Sequence, residues 1–450
     1  MNNRQSDRIK ANGFALIPIG VFLVLYVGSG IYFQYIEGQD QGFYVMPVVV
    51  AFTIAILIAL LQNRKYSFDD KLKIMAAGMG NENIAVMIMI FLLAGAFSSV
   101  ATAAGGSESV AYLLLSFIPG RQVVFGFFLI SCILSMAMGT SCGTISVLVP
   151  VALAAAGAAD LNIPLILGSI VGGAMFGDNL SFISDTTIAA TKTQGCEMKD
   201  KFKANFKIAC PAAVITGVIL LFTGGTDAAV QQHPFHVWQA LPYFAVLVMA
   251  VIGLNVLLVL GAGIIMFALA GLITQPGFDI PTLFSSMGEG TKGMFETIIV
   301  AVLVAALGEL IKENGGFEYI LGKIRKRAKG KRGGQAGIAA LASAIDIATG
   351  NNTVAIVMAA PIAREISREY GVSPQKTASL LDIFTCIWQG IIPYGAQMLI
   401  AVGLAGAYGV SAFDIIPYLY YIFLLFICGV GAILIPEHFL RKRKGDGVSG

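Results

Sequence analysis

Gly139-Thr140-Ser141-Cys142-Gly143-Thr144 is a polar patch in apolar surroundings, followed by an apolar stretch running to Pro150. A shift of 211 positions lays it on Gly350-Asn351-Asn352-Thr353-Val354-Ala355, which runs on to Pro361. Under that shift Ala137, Gly139, Ile145, Pro150 and Ala152 fall on Ala348, Gly350, Ile356, Pro361 and Ala363. The register then holds without a gap to Ala190 and Ala401. Self-similarity at a fixed offset signals a duplicated structural unit. Where the duplicated element is a glycine-interrupted hydrophobic hairpin, the two interruptions point to a binding site within a membrane.

Composition agrees with a membrane setting. Apolar residues make up 57% of the 450-residue chain and charged residues only 12%, which excludes an ordinary water-soluble globule. Apolar runs of about 18 residues recur from Phe14 to Ile435, enough for roughly ten crossings of a ~30 Å hydrocarbon core. The first run follows Arg4, Arg8 and Lys10, is longer than a secretory h-region and lacks a convincing cleavage site, so a retained helix is expected. Six cysteines (Cys132, Cys142, Cys196, Cys210, Cys386 and Cys428) show no paired spacing, which argues against a disulfide framework or a zinc site.

The distribution of Lys and Arg sets the expected topology. The N-terminus, the stretch 63–73, the five lysines of 192–207, the basic stretch 312–332 and the run Arg441, Lys442, Arg443, Lys444 are rich in positive charge. The stretches 157–164, 224–239, 274–290 and 411–414 carry no Lys or Arg. The positive-inside rule places the first group in the cytoplasm and the second outside, with both termini cytoplasmic. Segment 121–158 then enters and leaves on the outer side, and segment 333–363 on the inner side. Each reads as a re-entrant hairpin whose polar tip lies near mid-membrane, a depth where irregular backbone needs protein or a water-filled cavity around it.

The fold class expected is therefore an all-α polytopic membrane protein of two inverted-topology repeats, each with a re-entrant helical hairpin and an interrupted transmembrane helix. The first repeat covers 13–223, with its hairpin at 121–158 and interrupted helix at 163–191. The second covers 240–436, with its hairpin at 335–364 and interrupted helix at 375–410. This topology requires 240–273 to cross twice, broken at Gly253-Leu254-Asn255. The stretch 312–335 reads as a basic linker that meets anionic headgroups. Such an architecture points to a transporter.

The polar residues that could do chemistry cluster after the first hairpin, in Gly177-Asp178-Asn179-Leu180-Ser181-Phe182-Ile183-Ser184-Asp185-Thr186-Thr187. Asp178 and Asp185 are seven apart and would share one face of an unbroken helix, but the flanking Gly, Asn and Ser favour local unwinding. Unwound carbonyls, hydroxyls and two carboxylates form an oxygen-rich environment suited to a small cation. Candidate cation and proton ligands are Asp178, Asp185, Asn179, Ser181 and Ser184, with Thr140, Ser141 and Thr144 from the first tip, and sodium is expected at Asp178 and Asp185. Hydroxyls of this kind also glue helices together without any ligand, whereas intramembrane carboxylates are usually functional.

In the second unit Asp178 maps onto Gln389 and Asp185 onto Ala396, so the backbone break persists without its acidic charge. Charge returns there as Asp346 and Asp382. A substrate or second site is expected from Asp346, Asn351, Asn352, Thr353, Asp382, Gln389 and Gln397, with proton or substrate handling shared by Asp346 and Asp382. Arg121 and Arg364 sit at hairpin feet and Lys376 at a helix end, which leaves the fixed core charge negative and favours a cation or amine-bearing solute. His233, His236 and His438 fall in loops or the tail, so proton transfer falls to carboxylates.

Gly177-Asp178-Asn179 with Ser184-Asp185-Thr186-Thr187 resembles the "GD…SDTT" signature of the NhaC-type sodium/proton antiporters of the ion transporter superfamily, and Thr191-Lys192-Thr193-Gln194-Gly195-Cys196 continues it in the manner of one branch. The resemblance extends over both hairpins and both interrupted helices. It implies an inverted-repeat fold whose hairpins and broken helices move against a dimerising scaffold, hence a homodimer in a bacterial cytoplasmic membrane. It also implies sodium/proton exchange with Asp178 and Asp185 as matched carboxylates. Transported Na+ and H+ are the ions expected, with no cofactor, and the partners are membrane lipid, sodium, protons and a small-molecule solute, with no nucleic acid. The other function read from these residues is sodium- or proton-coupled carriage of an amino acid or small carboxylate, since some members of the broad family resemble such carriers. An intramembrane hydrolase is disfavoured, because no His-Glu-x-x-His pair or membrane-placed histidine is present.

Overall fold

A chain this rich in Leu, Ile, Val, Ala and Gly must satisfy its backbone hydrogen bonds internally wherever it meets lipid, and helices do so segment by segment. The computed structural model describes residues 10–38, 45–117, 122–181, 184–223, 236–327 and 329–434, and the described residues are helical with no strand. Among them, eight helices are long and apolar enough to cross a membrane, or nine if one bent pair is a single span. Val48–Leu61, Val123–Met138 and Val237–Val251 are apolar but shorter. Large apolar side chains that no neighbour covers, such as Phe222, Trp238, Leu258 and Ile273, form the outward surface expected to meet lipid. Arg4, Arg8, Arg121, His233, His438 and the basic run 441–444 lie outside the described residues.

Apart from the short helix Ala412–Ile415, the α-helices of the described residues fall into two sets of ten. The first comprises α1 (Gly13–Ile31), α2 (Val48–Leu61), α3 (Phe68–Met79), α4 (Glu82–Ala103), α5 (Gly106–Phe117), α6 (Val123–Met138), α7 (Ser141–Ala159), α8 (Ile163–Leu180), α9 (Asp185–Gln194) and α10 (Met198–Thr223). The second comprises α11 (Val237–Val251), α12 (Val256–Thr274), α13 (Ile280–Gly293), α14 (Phe295–Glu313), α15 (Gly316–Arg327), α16 (Gly330–Thr349), α17 (Asn352–Tyr370), α18 (Pro374–Ile391), α19 (Ala396–Leu404) and α20 (Tyr420–Leu434). Equivalent helices differ by ten in number.

Equivalence extends to backbone angles. At the first tip Gly139 ends α6 in the left-handed region (φ 68°, ψ 20°) and Thr140 is extended (φ −147°, ψ 120°), capping α7 by accepting from the Gly143 N–H. At the second, Gly350 ends α16 (φ 59°, ψ 20°) and Asn351 is extended (φ −148°, ψ 112°), capping α17 by accepting from the Val354 N–H. A left-handed residue after a helix favours glycine, and a short polar side chain then starts the next helix. Pro150 and Pro361 lie inside α7 and α17 at matching places, and Asp160 and Gly371 close those helices in the same left-handed conformation.

Packing between the sets is reciprocal. α3 packs on α14 and α4 on α13; α2 packs on α14 and α12 on α4; α5 packs on α11 and α15 on the start of α1; α9 packs on α17 and α19 on α7. Each of these contacts is thus matched by one between the counterparts of the same two helices. The scaffold crossing is close: a Cβ on Gly95 would strike the Gly290 carbonyl, and one on Gly290 would strike the Gly95 carbonyl. Small residues of this kind drive helix association in lipid, where burial from water supplies no force.

Several boundaries differ from the expectation. The stretch 312–335 is not a linker, since α15 and the first turn and a half of α16 occupy most of it. The short helices α3, α5 and α13 lie where no element was assigned. Their signal is weak because each is only 12 to 14 residues and carries polar groups. Residues 237–274 form two helices, with Gly253 at φ +82° and Asn255 capping the second.

Candidate functional site

The two interrupted helices bring their breaks against the opposite tips. α8 ends at Leu180 and α9 starts at Asp185, with Ser184 as its cap; α18 ends at Ile391 and α19 starts at Ala396. Each break leaves one helix C-terminus and one N-terminus inside the protein, so partial charges of both signs are available there.

Asp178, in the last turn of α8, is buried. Its Oδ2 accepts from Ser141 Oγ at 3.2 Å and from Asn352 Nδ2 at 3.4 Å, and its Oδ1 accepts from Thr186 Oγ1 at 3.4 Å. Ser141 and Asn352 are equivalent residues, each the first of the helix that follows a tip. Both copies of the tip therefore deliver a polar side chain to one oxygen of one carboxylate. The contact continues across the second break: Gln389 Nε2 donates to Gln397 Oε1 at 2.9 Å, and Gln397 Nε2 donates to Ser141 Oγ at 2.9 Å. Gln389 and Gln397 are the counterparts of Asp178 and Thr186, so the same break-spanning pair occurs twice, once charged and once neutral.

The other expected ligands have different places. Thr140 and Thr144 serve the tip backbone: Thr140 caps α7, and Thr144 Oγ1 donates to the Thr140 carbonyl. Ser181 Oγ donates to the Met136 carbonyl, and Ser184 Oγ to the Asp178 carbonyl. Asn179 Nδ2 donates to Cys386 Sγ and Tyr421 OH, away from the Asp178 carboxylate. Asn351 caps α17 and reaches Met87 Sδ, while the Thr353 N–H donates to Asn352 Oδ1. Asp185 is exposed at the first position of α9 and, among the described residues, shares no hydrogen-bond partner with Asp178, so the two carboxylates do not meet in one hydrogen-bonded cage. The backbone break is the reason: without a continuous helix, a spacing of seven no longer puts two side chains on one face.

One buried charged residue is missed by sequence reading, and it changes the electrostatics. Lys201 in α10 is 1% exposed, and its ammonium lies 2.7 Å from Asp382 Oδ2, itself 2% exposed. It also donates to the Asn179 carbonyl at 3.0 Å and to Thr187 Oγ1 at 2.6 Å, which uses all three of its N–H groups. Asn205, one turn further along α10, donates to the same Asn179 carbonyl at 2.9 Å and to Asp382 Oδ2 at 2.6 Å. The core thus holds a fixed cation, contrary to the expectation of negative charge alone. The sequence places Lys201 with the basic stretch 192–207, and no spacing within that stretch separates it from its exposed neighbours Lys199, Lys203 and Lys207.

Asp346 stands apart. It is 0% exposed, and neither carboxylate oxygen accepts a hydrogen bond. Further buried oxygens without a donor include Asn179 Oδ1, Asn205 Oδ1 and Gln389 Oε1. The site as a whole is rich in oxygens that can accept and poor in free donors.

The sequence profile of the Na+/H+ antiporter family matches residues 9–225 and 228–435, and the gap between the two stretches falls between α10 and α11. The malate-2H(+)/Na(+)-lactate antiporter of Bacillus subtilis is 22% identical over 444 residues, covering 90% of each chain. The Na(+)/H(+) antiporter NhaC of the same organism is 24% identical over 397 residues, covering 81% of this chain and 85% of its own. The arginine/ornithine antiporter ArcD of Halobacterium salinarum is 24% identical over 449 residues, covering 90% and 88%.

Proposed function

The chain belongs to the Na+/H+ antiporter family, and from that premise we propose that it exchanges sodium for protons at Asp178 by alternating access. The observation that carries the reading is the convergence of Ser141 and Asn352, one from each tip, on the carboxylate of Asp178. A carboxyl group shut off from bulk water is neutral unless a cation or strong donors compensate its charge. Sodium is held by the same carboxylate with the hydroxyl oxygens of Ser141 and Thr186, beside the Asn352 amide, and its arrival expels the proton. The two ions exclude one another, so their opposite flows are coupled. Asp185, exposed on the broken helix, supplies negative charge outside this cage and draws cations toward it.

The repeats are inverted in this reading, one hairpin entering from each face and carrying its tip to the middle of the membrane. The asymmetry of Lys and Arg and the reciprocal packing support it. Hairpins and broken helices move as a unit against the scaffold around α4 and α13, through which two copies associate, with both termini cytoplasmic. The test is reconstitution into vesicles with an imposed pH gradient. Added sodium or lithium dissipates the gradient if the proposal holds; failure of both at every pH rejects it.

A second reading, sodium- or proton-coupled carriage of an amino acid or small carboxylate, draws support from two relatives named as a malate/lactate and an arginine/ornithine antiporter and from the amides of Asn351, Asn352, Gln389 and Gln397. The saturation of Lys201 by its three acceptors weighs against that residue as the anchor of a substrate carboxylate. Thermal stabilisation by a panel of amino and organic acids separates the two readings.

A further inference from the structure

Among the described residues, each buried acidic group near the breaks accepts hydrogen bonds except one. Asp178 receives three donors, and Asp382 receives Lys201 and Asn205. Asp346, in the last turn of α16, receives none, although it is fully buried. The hydroxyl of Tyr394 donates instead to the Ile347 carbonyl at 2.6 Å. An ionised carboxylate enclosed in this way is penalised by several kcal/mol, so the group needs either a proton or a cation.

The duplication indicates which. The residue 211 positions before Asp346 is Ser135, whose Oγ donates to the Ala174 carbonyl at 2.6 Å across the α6–α8 contact. The counterpart of Ala174 is Thr385 on α18, and α16 packs on α18 as α6 packs on α8. The first unit therefore presents an O–H donor to a helix carbonyl where the second presents a carboxyl group. An ionised Asp346 sets acceptor against acceptor there, whereas the neutral acid restores the donor.

We propose that Asp346 is a second proton-binding site, holding its proton as a carboxylic acid hydrogen-bonded to the Thr385 carbonyl and exchanging that proton in each cycle. The site is separate from the Asp178 cage but linked to it. The Gly350 N–H donates to the Asp346 carbonyl, Gln389 donates to the Gly350 carbonyl, and Gln389 reaches Asp178 through Gln397 and Ser141. Motion of the second hairpin against α18 parts Asp346 from Thr385 and frees the proton. The O–H bond of the acid breaks and the proton leaves to water, with no redox partner required.

This inference rests on the exchange reading for its transported proton, not for its bound one, and the experiment keeps the two apart. Two exchanged protons against one sodium move net charge, so wild-type exchange in vesicles must respond to an imposed potassium diffusion potential. D346N, which keeps an N–H donor for Thr385, and D346S, which copies Ser135, must exchange without that response. Variants that retain the wild-type response, or a wild type that is electroneutral, overturn the proposal. Infrared spectra of the purified protein give a readout independent of transport. With Asp178→Asn in place, so that the other proton-holding carboxyl group is gone, the C=O band of a buried protonated carboxyl group must be present and must vanish when D346N is added. Its absence from Asp178→Asn, or its persistence after D346N is added, overturns the site; if both variants are inactive, or wild type moves no protons with sodium, this band alone decides.

Discussion

Replacement of Lys201 by Met tests whether the ammonium is a buried structural charge or one of a set of loop lysines. Lys201 and Asp382 are 1% and 2% exposed and 2.7 Å apart. Removing one partner of a buried ion pair leaves the other uncompensated, a loss of about 3–5 kcal/mol. Asn205 Nδ2, 2.6 Å from the same Asp382 oxygen, returns part of this, while the emptied acceptors on Asn179 and Thr187 add to it. Met fills most of the lysine's volume, so a cavity contributes little. The expected loss for Lys201→Met is therefore ~3–5 kcal/mol, with Asp382→Asn of similar size because it strands the ammonium. The double variant should lose far less than the sum, giving an interaction energy of ~2 kcal/mol or more. Equilibrium unfolding in mixed micelles measures all three. A solvated loop lysine changes stability by only about 0.5 kcal/mol either way. A Lys201→Met loss below about 1 kcal/mol, or single losses that simply add, refutes the buried-pair reasoning.

Other outcomes follow from the same geometry. Asn352→Ala removes the second tip's contact with Asp178, so sodium affinity should fall by about 10-fold or more, as expected for a bond to a charged group, and isothermal sodium titration measures it. Gly95→Val places side-chain atoms against the Gly290 carbonyl and should cost about 4 kcal/mol or prevent folding, read as loss of the monodisperse peak in size exclusion, whereas Gly261→Ala, with open space around it, leaves that peak intact. Outside the membrane-spanning helices, the hydroxyls of Ser67 and Thr282 hold the Asp70 and Asp279 carboxyls below the usual carboxylate range. Because these folded values are depressed, the caps of α3 and α13 contribute fully above the unfolded value near about pH 4 and lose that contribution as pH falls through the folded values. Amide protection in the first turns of both helices, measured against Ser67→Ala for α3, should decline over that window; an unchanged profile contradicts the assignment.

Much of the frame is written in the chain. Gly139 and Gly350 announce the tips, because a left-handed residue between two apolar stretches favours glycine, and Gly177 with Asn179 and Ser181 announces a break that the helix cannot bridge. The offset of 211 also identifies Gln389 as the neutral twin of Asp178. Legibility fails where tertiary contact decides. Lys201 sits among lysines that are solvated, and only the meeting of α10 with α8, α9 and α18 removes it from water. Asp185 shares the signature with Asp178, but it opens a separate helix, α9, and is exposed there, and no spacing rule carries a face from one helix to the next. The helices α3, α5, α13 and α15 are short and mixed in polarity, so apolar runs give them no contrast.

The central claim is that proton and sodium compete for one carboxylate, and proton release by the purified protein tests it most directly. On addition of sodium chloride to weakly buffered wild type, with choline chloride as the control, the account predicts release of protons that Asp178→Asn abolishes. Sodium binding without proton release, or release of undiminished size from Asp178→Asn, contradicts it.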